Sequence, residues 1–205
     1  MELLRRVSAV EVDKEIIVVD DCSTDRSWEL IQSAGVRELR AFRHPVNRGK
    51  GAGIQTALRE ATGDVVLIQD ADLEYDPNDY PKLLAPLIRK EADVVYGARD
   101  LSGQRFMMRW GNRFLTWVTN LLFGSHLTDM ETCYKLLPTE AMRSLALKAD
   151  RFQIEPEITA KLLRRGYKIV EVPISYRPRT AKKLSPWRDG LPALLMLLRC
   201  RFNIT

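Results

Sequence analysis

The chain has 205 residues, of which 45% are hydrophobic, and a formal net charge of +5. This length and apolar content predict one globular domain over residues 1–205. The start, Met-Glu-Leu-Leu-Arg-Arg, does not read as a signal peptide, and the longest apolar stretch, 191–198, is too short to span a bilayer. Three widely spaced cysteines argue for a reduced compartment and against both a disulfide framework and a structural zinc site. We therefore expect a cytoplasmic protein, with attachment to the inner face of the membrane left open.

The distribution of charge is more informative than its total. Between Lys161 and Arg201 there are eleven basic and two acidic side chains, and the rest of the chain has 21 basic and 25 acidic ones. This pattern indicates an anionic partner at the C-terminal end. A nucleic-acid partner is disfavoured, because the basic segment contains no recognisable nucleic-acid-binding module.

Short β-branched runs alternate with helical segments, which predicts an α/β fold with a mostly parallel sheet flanked by helices. The predicted strands cover 15–20, 38–43, 64–69, 93–97 and 167–175. Predicted helices run from the capping residues 23–25 to Gly35, over 50–61, from Pro77 onward, over 107–123 and over 156–165. In the helix over 107–123, four aromatic residues fall on one stripe, which indicates core packing or, as the alternative, contact with a membrane surface: Trp110, Phe114, Trp117 and Phe123.

The segment Asp70-Ala71-Asp72-Leu73-Glu74 follows the third predicted strand directly. On extended backbone, its three acids would point to the same side. Acidic groups at the carboxyl end of a buried strand suit a hard divalent cation, and ligands bind at this edge of open α/β sheets. The alternative is a solvated acidic turn.

Two further motifs lie nearby. The strand over 15–20 leads into Asp20-Asp21-Cys22-Ser23-Thr24-Asp25, whose carboxylates suit a ribose or base, although Asp20 and Asp25 can also act as helix caps. The loop Asn47-Arg48-Gly49-Lys50-Gly51-Ala52-Gly53 looks like a phosphate loop but matches neither standard pattern, so its glycines can also serve close packing.

Together these blocks resemble the family 2 glycosyltransferases of the GT-A (Rossmann-like) fold. The resemblance continues through Leu127-Thr128-Asp129-Met130-Glu131-Thr132-Cys133-Tyr134-Lys135, through the segments 152–157 and 172–179, and covers nearly the whole chain. It is closest to the branch of dolichol-phosphate mannosyltransferases and polyprenyl-phosphate glycosyltransferases. This resemblance implies an inverting transfer of sugar from a UDP- or GDP-sugar to a polyprenyl or dolichyl phosphate.

The resemblance also implies roles for individual residues. The nucleotide-sugar would contact Asp21, Asp70, Ala71, Asp72 and Arg99. Asp72 and Glu74 would hold Mg²⁺ or Mn²⁺, which neutralises the charge that develops on a diphosphate leaving group.

On the acceptor side, a phosphate is already ionised and needs positioning more than deprotonation. Arg177, Arg179, Lys182 and Lys183 are the candidate phosphate ligands, or alternatively a solvated basic face. Asp129 is the candidate base or orienting acid, or alternatively a helix cap.

Two departures from the family pattern stand out. Relatives begin with a strand that precedes the first helix, and this chain starts inside that helix, so we expect a truncated start and unpaired backbone in the sheet. The acceptor loop over 179–183 is also shorter than in relatives. The alternatives to the polyprenyl-phosphate reading are therefore the same donor chemistry on a soluble or glycan acceptor, and a non-catalytic remnant that binds sugar nucleotide.

Overall fold

The computed structural model describes residues 1–179 and 186–203, in which helices flank two β-sheets. The strands are β1 (Ile16–Asp20), β2 (Leu39–Arg43), β3 (Val65–Leu67), β4 (Val94–Arg99), β5 (Lys135–Pro138) and β6 (Ile169–Ile174). The helices are α1 (Glu2–Ala9), α2 (Ser27–Gln32), α3 (Lys50–Glu60), α4 (Tyr80–Ile88), α5 (Phe106–Phe123), α6 (Thr139–Ser144), α7 (Ile154–Arg164) and α8 (Pro186–Phe202). None of these helices has the length and apolar character that crossing a membrane requires.

The predicted α/β class is confirmed, with one strand that the sequence did not predict. β1 pairs in parallel with β2, and β4 pairs in parallel with β6. The four-stranded sheet has the order β3-β5-β4-β6, and the unpredicted β5 runs antiparallel to both of its neighbours. β3 ends at Leu67, two residues before the predicted end, which changes the geometry of the acidic segment after it.

A cleft separates the two sheets. Within the described part of the chain, β1 pairs only with β2, and β3 pairs only with β5. Side chains of both strands line two cavities of about 340 and 1050 Å³, the smaller also lined by α3 and the larger by α1. Among the described residues, the edge of β1 away from β2 and the edge of β3 away from β5 therefore have no strand partner.

The best-packed part of the core lies around β4. Val94, Val95 and Tyr96 have no exposed surface, and the helices α5, α7 and α8 pack together on this side of the molecule. The loops that follow β4 and precede β5 therefore rest on a rigid frame.

The prediction that the aromatic stripe of α5 packs in the core is wrong. Trp110, Phe114 and Trp117 are 58%, 50% and 59% exposed, and only Phe123 packs against the core. The buried face of α5 is formed instead by Leu115, Thr116, Val118 and Thr119.

Candidate active site

The carboxyl ends of β1 and β3 meet at one edge of the molecule. Asp21 follows β1, whereas Asp70 and Ala71 lie shortly after β3, and all three line the smaller cavity between the sheets. Its volume of about 340 Å³ lies within the range of small-molecule sites. Three of the five predicted donor residues are thereby brought to one cleft, and we call this edge the donor edge.

The Asp21 carboxylate organises the loop in front of α3. One oxygen accepts hydrogen bonds from the Arg48 N–H at 2.8 Å and lies 2.7 Å from His44 Nδ1, and the other accepts from the Gly49 N–H at 2.6 Å. Burial alone would raise the pKa of Asp21, but these donors outweigh it and the pKa is lowered. Asp21 is therefore an ionised side chain that fixes the wall of the donor edge.

The glycine-rich loop is built for close packing rather than for a phosphate. A Cβ at Gly51 would lie 2.0 Å from the Ala149 carbonyl oxygen, and a Cβ at Gly49 would lie 2.5 Å from that of Asp150. The Ala52 N–H donates to the Asp150 carbonyl at 3.0 Å. Because protein atoms use these donors, the start of α3 has few N–H groups left for a phosphate.

A chain of charged side chains connects the donor edge to the core, half-buried at Lys50 and Asp70 and buried at Glu155 and Lys135. Lys50 Nζ lies 2.7 Å from Asp70 Oδ1 and 2.7 Å from Glu155 Oε1. Glu155 also pairs at 2.9 Å with Lys135, whose ammonium lies 4.7 Å from the centre of the Tyr96 ring. The sequence reasoning did not assign Lys50, Glu155 or Lys135 to a site, since the partners lie far apart along the chain.

The acidic segment 70–74 is a turn and not an extended strand. Leu73 has a φ of 59°, a left-handed conformation that is costly for a large side chain. The prediction that all three acids share one side of a strand is wrong, because Asp70 pairs with Lys50 while Asp72 and Glu74 face Arg179. Gln69 donates to the Asp70 carbonyl at 2.8 Å and accepts hydrogen bonds from Tyr80 and Tyr134, which fixes the start of the turn.

Arg179 joins the acidic turn to the segment after β6. Its Nη2 lies 2.8 Å from Asp72 Oδ2, its Nε lies 3.6 Å from Glu74 Oε1, and its backbone N–H donates to Glu74 at 2.9 Å. Arg179, a predicted acceptor residue, therefore contacts both predicted metal ligands, Asp72 and Glu74. Arg177 is exposed, and its N–H donates to the Glu74 carbonyl at 2.8 Å. Lys182 and Lys183 lie outside the described residues.

The chemistry of Asp72 and Glu74 fits a divalent cation. Both carboxylates contact one guanidinium, and burial together with the charges of Asp70 and Glu74 raises the pKa of Asp72. Hard cations prefer such oxygen ligands. Among the described residues, no group of three or more His, Cys, Asp or Glu side chains could hold a metal ion. A cation at this turn would therefore need further ligands from a bound phosphate or water.

Arg99 and Asp129 form a buried pair beneath the acceptor side. Arg99 Nε and Nη2 contact the two Asp129 oxygens at 2.6 and 2.7 Å, and the side chains are 6% and 1% exposed. The N–H groups of Thr128 and Asp129 donate to the Glu171 carboxylate at 2.7 and 2.8 Å. Both carboxylate oxygens of Asp129, the predicted base, therefore already accept hydrogen bonds from the Arg99 guanidinium. Neither Arg99 nor Asp129 lines the two cavities between the sheets.

Glu131 is a half-buried acid that the sequence reasoning did not single out. Burial, followed by the charge of Glu155, raises its pKa to about 7. Its Oε1 atom is buried without a hydrogen-bond partner among the described residues. A carboxyl group that titrates near neutral pH is suited to proton transfer.

The fold matches that of known glycosyltransferases. The structure of glucosyl-3-phosphoglycerate synthase from Mycobacterium tuberculosis, in complex with Mn²⁺, uridine diphosphate and glucosyl-3-phosphoglycerate, superposes with a TM-score of 0.75. The alignment covers 98% of this chain and 76% of that one at 21% sequence identity. At this identity the likeness establishes the fold, which is the GT-A fold.

The sequence comparisons define the family. Residues 2–144 match the family model of glycosyl transferase family 2, and the chain therefore belongs to this family of glycosyltransferases. It is 32% identical over 196 residues to glycosyltransferase AglJ of Haloferax volcanii, covering 90% of this chain. It is 29% identical over 181 residues to the dolichol-phosphate mannosyltransferase of Pyrococcus furiosus, covering 83% of this chain. The alignments span 62% and 50% of the length of these two relatives.

Proposed function

We propose that this chain is a metal-dependent, inverting glycosyltransferase that moves a sugar from a UDP- or GDP-sugar to a polyprenyl or dolichyl phosphate. The observation that carries the proposal is the acidic turn at the donor edge, whose Asp72 and Glu74 are tied by Arg179 to the segment after β6. Donor and acceptor chemistry must meet at one point, and this contact is where the two predicted sets of residues touch.

On the donor side, the nucleotide would enter the cleft lined by Asp21, Asp70 and Ala71. Asp72 and Glu74 would hold Mg²⁺ or Mn²⁺, which when bound neutralises the charge of the departing diphosphate. The complex of the solved structural neighbour with uridine diphosphate and Mn²⁺ supports this choice of donor and cation. Lys50, held by Asp70 and Glu155, adds a fixed positive charge beside the same turn.

On the acceptor side, an ionised phosphate oxygen would attack the anomeric carbon. The bond from that oxygen to carbon forms as the bond from carbon to the diphosphate oxygen breaks, which inverts the configuration and requires no proton transfer. Arg177 and Arg179, with Lys182 and Lys183, would orient the acceptor phosphate. The name of the Pyrococcus furiosus relative supports a lipid phosphate as the acceptor. Asp129 then acts by holding Arg99 in place and not as a base.

A second candidate function is transfer to a sugar hydroxyl, and one observation supports it. A hydroxyl must lose a proton, and Glu131, with a pKa of about 7, could accept it. The two functions separate in an assay that offers polyprenyl phosphate and an unphosphorylated glycan acceptor to the same preparation. Transfer to the phosphate alone supports the first, and transfer to a hydroxyl supports the second.

The donor site is tested by calorimetric titration with UDP and GDP, each with and without Mn²⁺. We expect Mn²⁺-dependent binding of one nucleotide, and Asp72→Ala should abolish the dependence on Mn²⁺ while leaving the fold intact. Glu91→Ala is the matched control, because Glu91 is an exposed acid just before β4, whose only ion pair in the described part of the chain is with Arg89. Unchanged Mn²⁺-dependent binding by Asp72→Ala would exclude this residue as a metal ligand. A folded protein that binds neither nucleotide would contradict both the proposed transfer and a remnant that binds sugar nucleotide.

A further inference from the structure

α5 carries a continuous exposed apolar stripe. Six of its large apolar side chains are between 50% and 68% exposed: Phe106, Met107, Trp110, Phe114, Trp117 and Leu121. At about 100° of rotation per residue, all six fall within an arc of about 100° on the helix. We call this set the α5 stripe. Single exposed apolar residues are normal, but six on one arc form a contact surface.

The α5 stripe is distinct from the face that builds the core. Leu115, Thr116, Val118 and Thr119 are buried on the opposite side of the helix, where α5 packs against α7 and α8. α5 is therefore apolar on two opposite faces, whereas a surface helix of a globular protein is normally polar on the outer one. Packing in the core explains the apolar residues of the inner face but not those of the α5 stripe.

Positive charge borders the stripe along one side. Arg105, Arg109 and Arg113 are spaced four residues apart and form a row next to the aromatic residues, and α5 contains no Asp or Glu. The Arg109 guanidinium lies 5.9 Å from the centre of the Phe106 ring. Aromatic side chains beside a row of arginines match the two layers of an anionic lipid surface, namely its acyl boundary and its phosphates.

The stripe begins next to the proposed acceptor segment. Gln104, just before α5, donates to the Tyr176 hydroxyl at 2.9 Å and accepts from the Asn112 side chain at 3.1 Å. A Cβ at Gly103 would lie 3.3 Å from Pro178 Cγ, so the two segments are in close contact. Tyr176 in turn contacts Glu74 of the acidic turn. A membrane that covers the α5 stripe would thus lie beside the residues proposed to bind the acceptor phosphate.

We propose that the α5 stripe is a docking surface for an anionic lipid bilayer, with Trp110 and Trp117 at the level of the headgroups and the exposed Arg105 and Arg113 on lipid phosphates. This inference rests on the proposed function, because an enzyme that uses a lipid-linked acceptor has to work at a membrane. Its geometric basis is independent, since neither the donor cleft nor the acidic turn forms part of the stripe.

The first test is co-sedimentation of the chain with vesicles, without donor or acceptor. We expect binding to vesicles of equal parts phosphatidylglycerol and phosphatidylcholine, and an about tenfold weaker partition for Trp110→Ser/Trp117→Ser. Arg105→Glu/Arg113→Glu should lose the preference for the anionic vesicles and its salt dependence. The control is Val46→Ser/Ile88→Ser, whose parent side chains are 60% and 74% exposed outside α5, and it should bind as the parent does.

The second test locates the tryptophans. Vesicles with brominated acyl chains should quench the fluorescence of Trp110 and Trp117 in a Trp28→Phe/Trp187→Phe background. They should leave the fluorescence of Trp28 unchanged in the complementary variant Trp110→Phe/Trp117→Phe/Trp187→Phe.

Several outcomes would overturn the proposal: equal vesicle binding by the stripe variant and the parent, or no binding by the parent. A parent dimer that the stripe variant converts to a monomer would instead assign the surface to a second copy of this chain. Because no nucleotide is present, a failure of nucleotide binding in calorimetry leaves these results unaffected.

Discussion

The two halves of the molecule differ in how completely their strands are paired. In the donor half, β1 and β3 each have a partner on one side only among the described residues, and Val65 of β3 is 38% exposed. In the acceptor half, β4 lies between β5 and β6, and Val94, Val95 and Tyr96 are fully buried. The acceptor half therefore supplies the rigid frame, and we expect local opening to cost less free energy in the donor half.

The same difference extends to the charged groups. Arg99 and Asp129 of the acceptor half pair with both side chains buried, whereas Arg179, which links the halves, is 55% exposed. A buried pair is costly to break because the remaining charge stays out of water, while an exposed pair contributes little. The two ion pairs have similar lengths but should contribute very differently to the free energy of unfolding.

The largest effect is expected from Asp129→Ala. It leaves the Arg99 guanidinium buried without its bidentate partner, and we expect a loss of about 3–5 kcal/mol in the free energy of unfolding. Urea denaturation measures this loss. The comparison variant is Asp72→Ala, whose partner is exposed and whose loss should be at most about 1 kcal/mol. Similar losses for the two variants would contradict the difference between the halves.

Amide hydrogen exchange tests the pairing of the strands directly. The Ile16 N–H and the Asp20 carbonyl bond on the β2 side of β1, so the N–H groups of Ile17 and Val19 face the cleft. We expect these two amides to exchange about a hundredfold faster than those of Val95 and Tyr96. Equal protection would mean that the facing edges of β1 and β3 are paired in solution.

Glu131 offers a pH-dependent test within the acceptor half. Its pKa rises from 4.5 to about 7 on folding. Between these values the folded state keeps a proton that the unfolded state has released, so stability falls as the pH rises through this range. Glu131→Gln cannot titrate and so lacks this loss of stability. Between pH 5 and pH 8, we expect its free energy of unfolding to gain about 2 kcal/mol relative to the parent. Denaturation at both pH values, with Glu91→Gln as the control, measures the gain, and a gain independent of pH would contradict the raised pKa.

The sequence predicted the alternating fold and the donor edge because both depend on local patterns. All five predicted strands agree with the observed bounds to within two residues at either end, since β-branched runs bounded by turns carry that information. β5 was missed because it is short and contains Lys135, a residue normally found at the surface, although here it is fully buried against Glu155. Its burial depends on a partner twenty residues away that no local pattern reveals.

The errors at the site have similar physical causes. The shared register of Asp70, Asp72 and Glu74 failed because Leu73 adopts a left-handed conformation, which an ordinary leucine gives no reason to expect. The contact of Arg179 with Asp72 joins residues 107 positions apart. The predicted aromatic stripe of Trp110, Phe114, Trp117 and Phe123 was assigned to the core because an apolar helix with two faces has the same composition as one with a single broad face.

The smallest effect on stability and the most specific effect on binding are expected from Arg179→Ala. The side chain is 55% exposed, so its loss should change the free energy of unfolding by less than about 1 kcal/mol. Its guanidinium nevertheless occupies the place between Asp72 and Glu74 that a divalent cation would take. Removing it should therefore strengthen Mn²⁺ binding in the absence of nucleotide, as measured by the electron paramagnetic resonance of free Mn²⁺.

Arg177→Ala is the matched control, because the exposed Arg177 reaches the turn through its backbone N–H, which the substitution keeps. Unchanged Mn²⁺ affinity in Arg179→Ala would show that the cation does not compete with this side chain. A gain in Mn²⁺ affinity together with a loss in the use of a phosphate acceptor would assign Arg179 two successive roles, first as the partner of Asp72 and Glu74 and then as a ligand of the acceptor phosphate. The arginine would then cover the acids while the donor half is empty and turn to the acceptor phosphate once the cation takes its place.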